Sequence, residues 1–136
     1  MPDLTPDPMG PLCSLPADGD DHPYSLVRTA DGHLAWLSGV LPYAPDGSIV
    51  QDRDGAISAV FDVLRERLEA IGADLGDVVQ TTVYLLDIDW RPALNAVFAE
   101  RFTGSRPART TVEVSRLPGG APIEIDAVVH VVRRAG

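Results

Sequence analysis

The residues with chemistry to offer are concentrated between positions 107 and 126 of the 136-residue chain, in Pro-Ala-Arg-Thr-Thr-Val-Glu-Val-Ser-Arg-Leu-Pro-Gly-Gly-Ala-Pro-Ile-Glu-Ile-Asp. A cation, Arg109, opens one β-branched run, and Glu113, Glu124 and Asp126 are embedded in apolar surroundings. Side chains alternate along a strand, so Arg109, Thr111 and Glu113 share one face while Thr110, Val112 and Val114 share the other. In the second run Ile123, Ile125, Ala127, Val129 and Val131 line one face, and Glu124, Asp126, Val128, His130 and Val132 line the opposite one. Charges so placed are either solvated on an open sheet face or held in a partly buried site. The connector Leu117-Pro118-Gly119-Gly120-Ala121-Pro122 predicts that the two runs form an antiparallel hairpin with a loop longer than two residues.

The elements that must position these residues follow from the rest of the chain. Residues 1–22 hold five prolines and five aspartates without periodicity and predict an irregular N-terminal arm, in which Cys13 is incidental. A single domain is expected over residues 23–136. Residues 26–29 and 34–38, separated by Ala30-Asp31-Gly32-His33, predict a first hairpin. Gly39 marks a bend or a close approach of backbone to a ligand. Asp52 or Asp54 caps a helix whose apolar stripe is Ile57, Val60, Phe61, Leu64, Leu68 and Ile71, with Gly72 closing it. Residues 78–86 are apolar enough for a central strand. Asp89 is the expected cap of a second helix with Pro92 in its first turn and a core stripe of Leu94, Val97, Phe98 and Phe102. The order is β-β-α-β-α-β-β, an α+β fold with a mixed sheet and both helices on one face. The other face is either wet or covered by further subunits.

Composition narrows the function. Eleven basic against twenty acidic residues give a formal charge of −9, which repels polyphosphate and argues against non-specific nucleic-acid or anionic-membrane binding. One cysteine excludes an intramolecular disulfide. No apolar run approaches the roughly 20 residues of a membrane span, and the N-terminus does not read as a secretory signal, so the cytoplasm is the expected location. His22, His33 and His130 lack ligand-like spacing, and no metal site, phosphate loop or nucleophile elbow is evident.

The run Pro107-Ala108-Arg109-Thr110-Thr111-Val112-Glu113-Val114, with Leu117-Pro118 and Ile123-Glu124-Ile125-Asp126-Ala127 behind it, resembles the C-terminal signature of the RidA (YjgF) family of reactive-imine deaminases. The resemblance extends in order through Pro23-Tyr24-Ser25, Ser38-Gly39 with Pro42, residues 68–72, Asp77-Val78-Val79, Thr81-Thr82-Val83-Tyr84 and Asn95. It implies a chorismate-mutase-like fold, a homotrimer with sites in the clefts between subunits, and a small imino or keto acid as ligand. It also implies that Arg109 anchors the substrate carboxylate, that Glu124 positions the hydrolytic water, that Tyr24 and Gly39 line the pocket, and that Asn95 stands at the subunit boundary.

The chemistry so implied is hydrolysis of a 2-imino acid or its enamine tautomer to keto acid and ammonia. A planar guanidinium suits the carboxylate, and Glu124 would act as general base and then acid, with no metal or organic cofactor. Three positions depart from the resemblance. Thr111 stands where many deaminating members have cysteine, and Leu26 and Val40 replace common glutamines, predicting a less polar pocket and either a bulkier or less polar substrate or a role in a dedicated metabolic or biosynthetic pathway. The competing expectation is a non-catalytic trimer that binds small carboxylates or a partner protein. An endoribonuclease reading is opposed by the charge and by the lack of a histidine pair.

Overall fold

The computed structural model describes residues 13–16, 23–29 and 32–131. Among these residues six strands and two α-helices follow one another as β1 (Cys13–Pro16), β2 (Ser25–Thr29), β3 (His33–Val40), α1 (Arg53–Ala70), β4 (Val78–Leu85), α2 (Arg91–Arg101), β5 (Ala108–Glu113) and β6 (Ile123–Val131). One mixed sheet takes the order β1-β2-β5-β4-β6-β3. The expected α+β class, helix count and one-sided helical layer are all present. Within the arm expected to be irregular, Cys13–Pro16 instead forms a strand antiparallel to β2, its backbone groups taken up by that ladder. Residues 1–12 and 17–22 of the arm lie outside the described residues.

Both predicted hairpins are corrected. The last two strands do not pair with each other, because β4 lies between them, parallel to β5 and antiparallel to β6. Alternation of apolar residues specifies which face a strand buries, but not which neighbour takes its hydrogen bonds. The connector steps across β4 where it emerges from the sheet: the amide of Val114 donates to Leu85 O at 2.8 Å, and that of Leu86 donates to Pro122 O at 3.1 Å. Likewise β2 pairs with β1 and β5, while β3 pairs with β6, and among the described residues β2 and β3 share no ladder.

Helix α1 is capped by Asp52, whose side chain accepts from the amide of Gly55. At its other end Gly72, at φ 73°, lets the chain turn back. The amides of Gly72 and Ala73 then donate to Glu69 O at 3.1 Å and Leu68 O at 2.9 Å, a Schellman closure. The helix stops at Ala70, so Ile71 leaves the predicted stripe and is exposed. Asp89 does not cap α2. Asp87 caps a 3-10 turn at Ile88–Trp90, and α2 follows without a side-chain cap bond. Val60, Phe61, Leu64 and Leu68 from α1 meet Leu94, Phe98 and Phe102 around α2, over Val83, Leu85, Ile123, Ile125 and Val129 of the sheet. Phe61 stands edge-on to both Phe98 and Phe102 at 6.0 Å. Truncating such a ring costs about 3–5 kcal/mol, and Phe98 also floors the site described next.

Candidate active site

The pairing of β5 with β4 sets Arg109 across from buried Thr81, on the side covered by the helices. There the guanidinium lies 4.7 Å from the ring centre of Tyr24 and 4.9 Å from that of Phe98. Its Nη2 donates to Asn95 Oδ1 at 2.6 Å. Two rings and an amide thus fix the plane of the cation. Among the described residues no carboxylate pairs with it. Its Nε and Nη1 are buried without a hydrogen-bond partner, and so is Thr111 Oγ1, two residues along the same face. Burial draws the pKa of Arg109 down from its ordinary value to about 10; Tyr24 opposes the fall and the like charge of Arg91 adds to it. Tyr24, Arg91, Arg109 and Thr111 line a hollow of about 120 Å³.

Glu124 is on the opposite face of the sheet. It stands across from Tyr84, and Asp126 stands across from Thr82. Asp126 is held by the Thr82 amide at 3.2 Å and the Tyr84 hydroxyl at 3.0 Å. Burial, then the neighbouring charge of Asp126, raises the pKa of Glu124 above the ordinary carboxylate value. The hydrogen bond to Asp126, with burial behind it, raises that of the Tyr84 phenol. Gly39 presses on Glu124 so closely that a Cβ at this position would lie 2.8 Å from the carboxyl carbon. Only glycine fits there without displacing the acid.

The six residues singled out in the sequence therefore form two groups. Tyr24, Asn95, Arg109 and Thr111 assemble on the helical face, and Gly39 and Glu124 assemble on the other, with the sheet between them. A guanidinium fixed with donors to spare can hold a carboxylate, and a carboxyl group in reach of the bound ligand can accept and return a proton. Val40 departs from expectation: it is 2% exposed and belongs to the hydrophobic core, so it does not make the pocket apolar. The side chain of Leu26 lies outside the described part. Arg91 was not anticipated. Its signal was the spacing Arg91, Asn95, Phe98, which puts all three on one face of α2. Among the described residues no group of three or more histidine, cysteine or acidic side chains is arranged to hold a metal. No described helix is long and apolar enough to cross a membrane.

The sequence profile of the family described as Endoribonuclease L-PSP matches residues 19–131. A RutC family protein of Pyrococcus horikoshii is 41% identical over 110 residues, covering 79% of this chain and 86% of the relative. A 2-iminobutanoate/2-iminopropanoate deaminase of Salmonella typhimurium is 35% identical over 107 residues, covering 76% and 82% respectively. The crystal structure of RidA from an Antarctic Psychrobacter superposes with a TM-score of 0.70 at 29% identity, covering 87% of this chain and 94% of that one. Matched over most of its length in both sequence and fold, the chain belongs to the endoribonuclease L-PSP family, the RidA (YjgF) proteins.

Proposed function

We propose that the protein hydrolyses reactive 2-imino acids, or their enamine tautomers, to keto acid and ammonia, in a site completed between copies of the chain. The observation that carries this reading is the division of the candidate residues between two faces of one sheet. Arg109 has buried donors without partners on the helical face, and Glu124 has a raised pKa on the other. Neither reaches the other within a chain. A second copy set against the open face brings one copy's Glu124 to another's Arg109, and a closed trimer makes three such clefts. The open face supplies the apolar surface for that contact, with Trp36 73% exposed, Leu34 41% and Val112 37%.

In this reading the substrate carboxylate accepts from Arg109, which fixes the C=N carbon in front of Glu124. Glu124 takes a proton from water as the oxygen attacks and gives it to nitrogen, forming a carbinolamine; it then takes the carbinol O–H proton and passes it to nitrogen as the C–N bond breaks, releasing keto acid and ammonia. The Thr111 hydroxyl holds the water or the departing nitrogen. Water adds across C=N and ammonia departs, so the reaction needs no electron donor or acceptor. The names of the Salmonella relative and of a 3-aminoacrylate deaminase in Acinetobacter baylyi support this class of substrate. A formal charge of −9 speaks against the ribonuclease activity in the family's description.

Thr111 favours a second reading, because a threonine supplies no thiolate, and a trimer that only binds small carboxylates would retain the same Arg109 anchor. Imines generated in situ by an amino-acid oxidase separate the two. Faster release of ammonia with the protein than without it supports the deaminase. Binding of a keto acid with no acceleration of any imine supports the binding protein.

A further inference from the structure

We infer that Arg91 is a second anion-binding residue, and that the preferred ligand is a dicarboxylate: a 2-imino acid whose side chain ends in a carboxylate, or the corresponding 2-oxo dicarboxylate. The inference rests on the proposed function only for the word imino; the dianion site stands on geometry.

Arg91 lines the same hollow as Arg109, Tyr24 and Thr111, and also a neighbouring one of about 380 Å³ with Ile88, Asp89, Pro92 and Asn95. It precedes Asn95 by four residues and Phe98 by seven, so the helix face that fixes Arg109 from one side also presents Arg91. Neither guanidinium has an ion pair among the described residues, although acidic residues outnumber basic ones by twenty to eleven. Asp89 shares the neighbouring hollow and forms no ion pair with Arg91.

Helix stability gives no reason for a cation here. Arg91 is the first residue of α2, at the positive end of the helix dipole, with no acidic residue in the first turn and no side-chain cap. Its charge also works against that of Arg109. Two like charges sharing one hollow are favourable when a ligand brings two negative charges. One carboxylate goes to Arg109, whose orientation is fixed, and the side-chain carboxylate goes to Arg91 at the exposed rim.

Calorimetric titration of the full chain with 2-oxoglutarate and with 2-oxobutanoate tests this directly. The dicarboxylate is expected to bind about tenfold tighter or better, and Arg91→Gln is expected to erase most of that difference. Equal affinities in the parent, or a preference that survives Arg91→Gln, overturn the inference. Imines of glutamate and of 2-aminobutyrate, made by oxidases, then test the activity: the ratio of their kcat/KM values should follow the affinity ratio. A dicarboxylate preference in binding without turnover of either imine would sink the deaminase reading and leave the dianion site standing.

Discussion

Arg109 offers the most decisive perturbation, because the anchor and the structural reading predict opposite outcomes. The charge lies against two aromatic rings, and burial has drawn its pKa down to about 10, which disfavours the charged form by on the order of 3 kcal/mol. Arg109→Ala removes that penalty. It also removes two cation–π contacts, together worth about 1–4 kcal/mol, and one hydrogen bond to Asn95 worth about 1 kcal/mol. The gains and losses nearly cancel, so the melting temperature should move by only a few degrees. Binding is different. Loss of charge-assisted hydrogen bonds to a substrate carboxylate costs about 2–4 kcal/mol, which is roughly 30-fold to several hundred-fold in kcat/KM. Arg109→Lys should fail almost as badly, since an ammonium keeps the charge but loses the planar group that stacks between Tyr24 and Phe98. Differential scanning calorimetry beside oxidase-coupled deamination reads both quantities. A large fall in melting temperature would make Arg109 a structural residue. Full activity in Arg109→Ala would refute the site as assigned.

Glu124→Gln should show the cost of the raised carboxyl pKa. In the parent, stability is fullest below the ordinary value of 4.5 and is lost as pH rises through the higher native value, so the variant's advantage in melting temperature should grow from pH 4 to pH 8. A constant or shrinking gap would contradict it. Thr111→Cys should melt no lower than the parent, because a buried hydroxyl without a partner gives way to a group that needs none, and should deaminate simple imino acids at an equal or higher rate. A folded Thr111→Cys protein that is much slower would give the hydroxyl a role of its own. Light scattering should find three copies in the parent at micromolar concentration and a smaller species in Trp36→Glu, which puts a charge on the open face. A monomeric parent would remove the shared site.

The local elements were legible in the sequence, and the way they join was only partly so. Periodicity located the stripe of α1 through Leu68, the central strand at 78–85 and the two faces of β6, because each reflects which side of one element avoids water. Strand partnership is a different quantity. The same alternation in β5 and β6 satisfies a hairpin or a sheet with β4 inserted, and the choice rests on packing of β4 between them under both helices. The site divided in the same way. Arg109 stood out as a cation in an apolar run, yet its stack on Phe98 depends on how α2 lies over β5, and Val40 reads as a pocket residue until its burial is known. Arg91 was hidden because its sign is wrong for the helix dipole only once α2 is known to start there, and from sequence Asp89 reads as the cap.

The separation of Arg109 from Glu124 also has an electrostatic logic. Were both on one face at contact distance, the acid and the guanidinium would pair, lowering the pKa of the acid and filling the donors meant for substrate. A site built that way would begin each cycle by breaking its own ion pair. With the sheet between them, Arg109 has only neutral Asn95 as its hydrogen-bond partner among those described, and burial, with like-charged Asp126 behind it, raises the pKa of Glu124. Neither group is spent on pairing with the other. In the proposed assembly the two then meet across a gap that substrate occupies, the carboxylate quenching the cation and the imine carbon facing the acid. The prediction this makes is that Arg109→Gln and Glu124→Gln chains, each inactive alone, regain part of the activity when mixed and allowed to exchange subunits. Clefts that draw Arg109 from one variant and Glu124 from the other are intact. For randomly mixed trimers at equal amounts, about one cleft in four is of that kind, by the product of two even chances. Recovery near that level supports a shared site, and mixed trimers with no activity would place both residues in the service of a single chain.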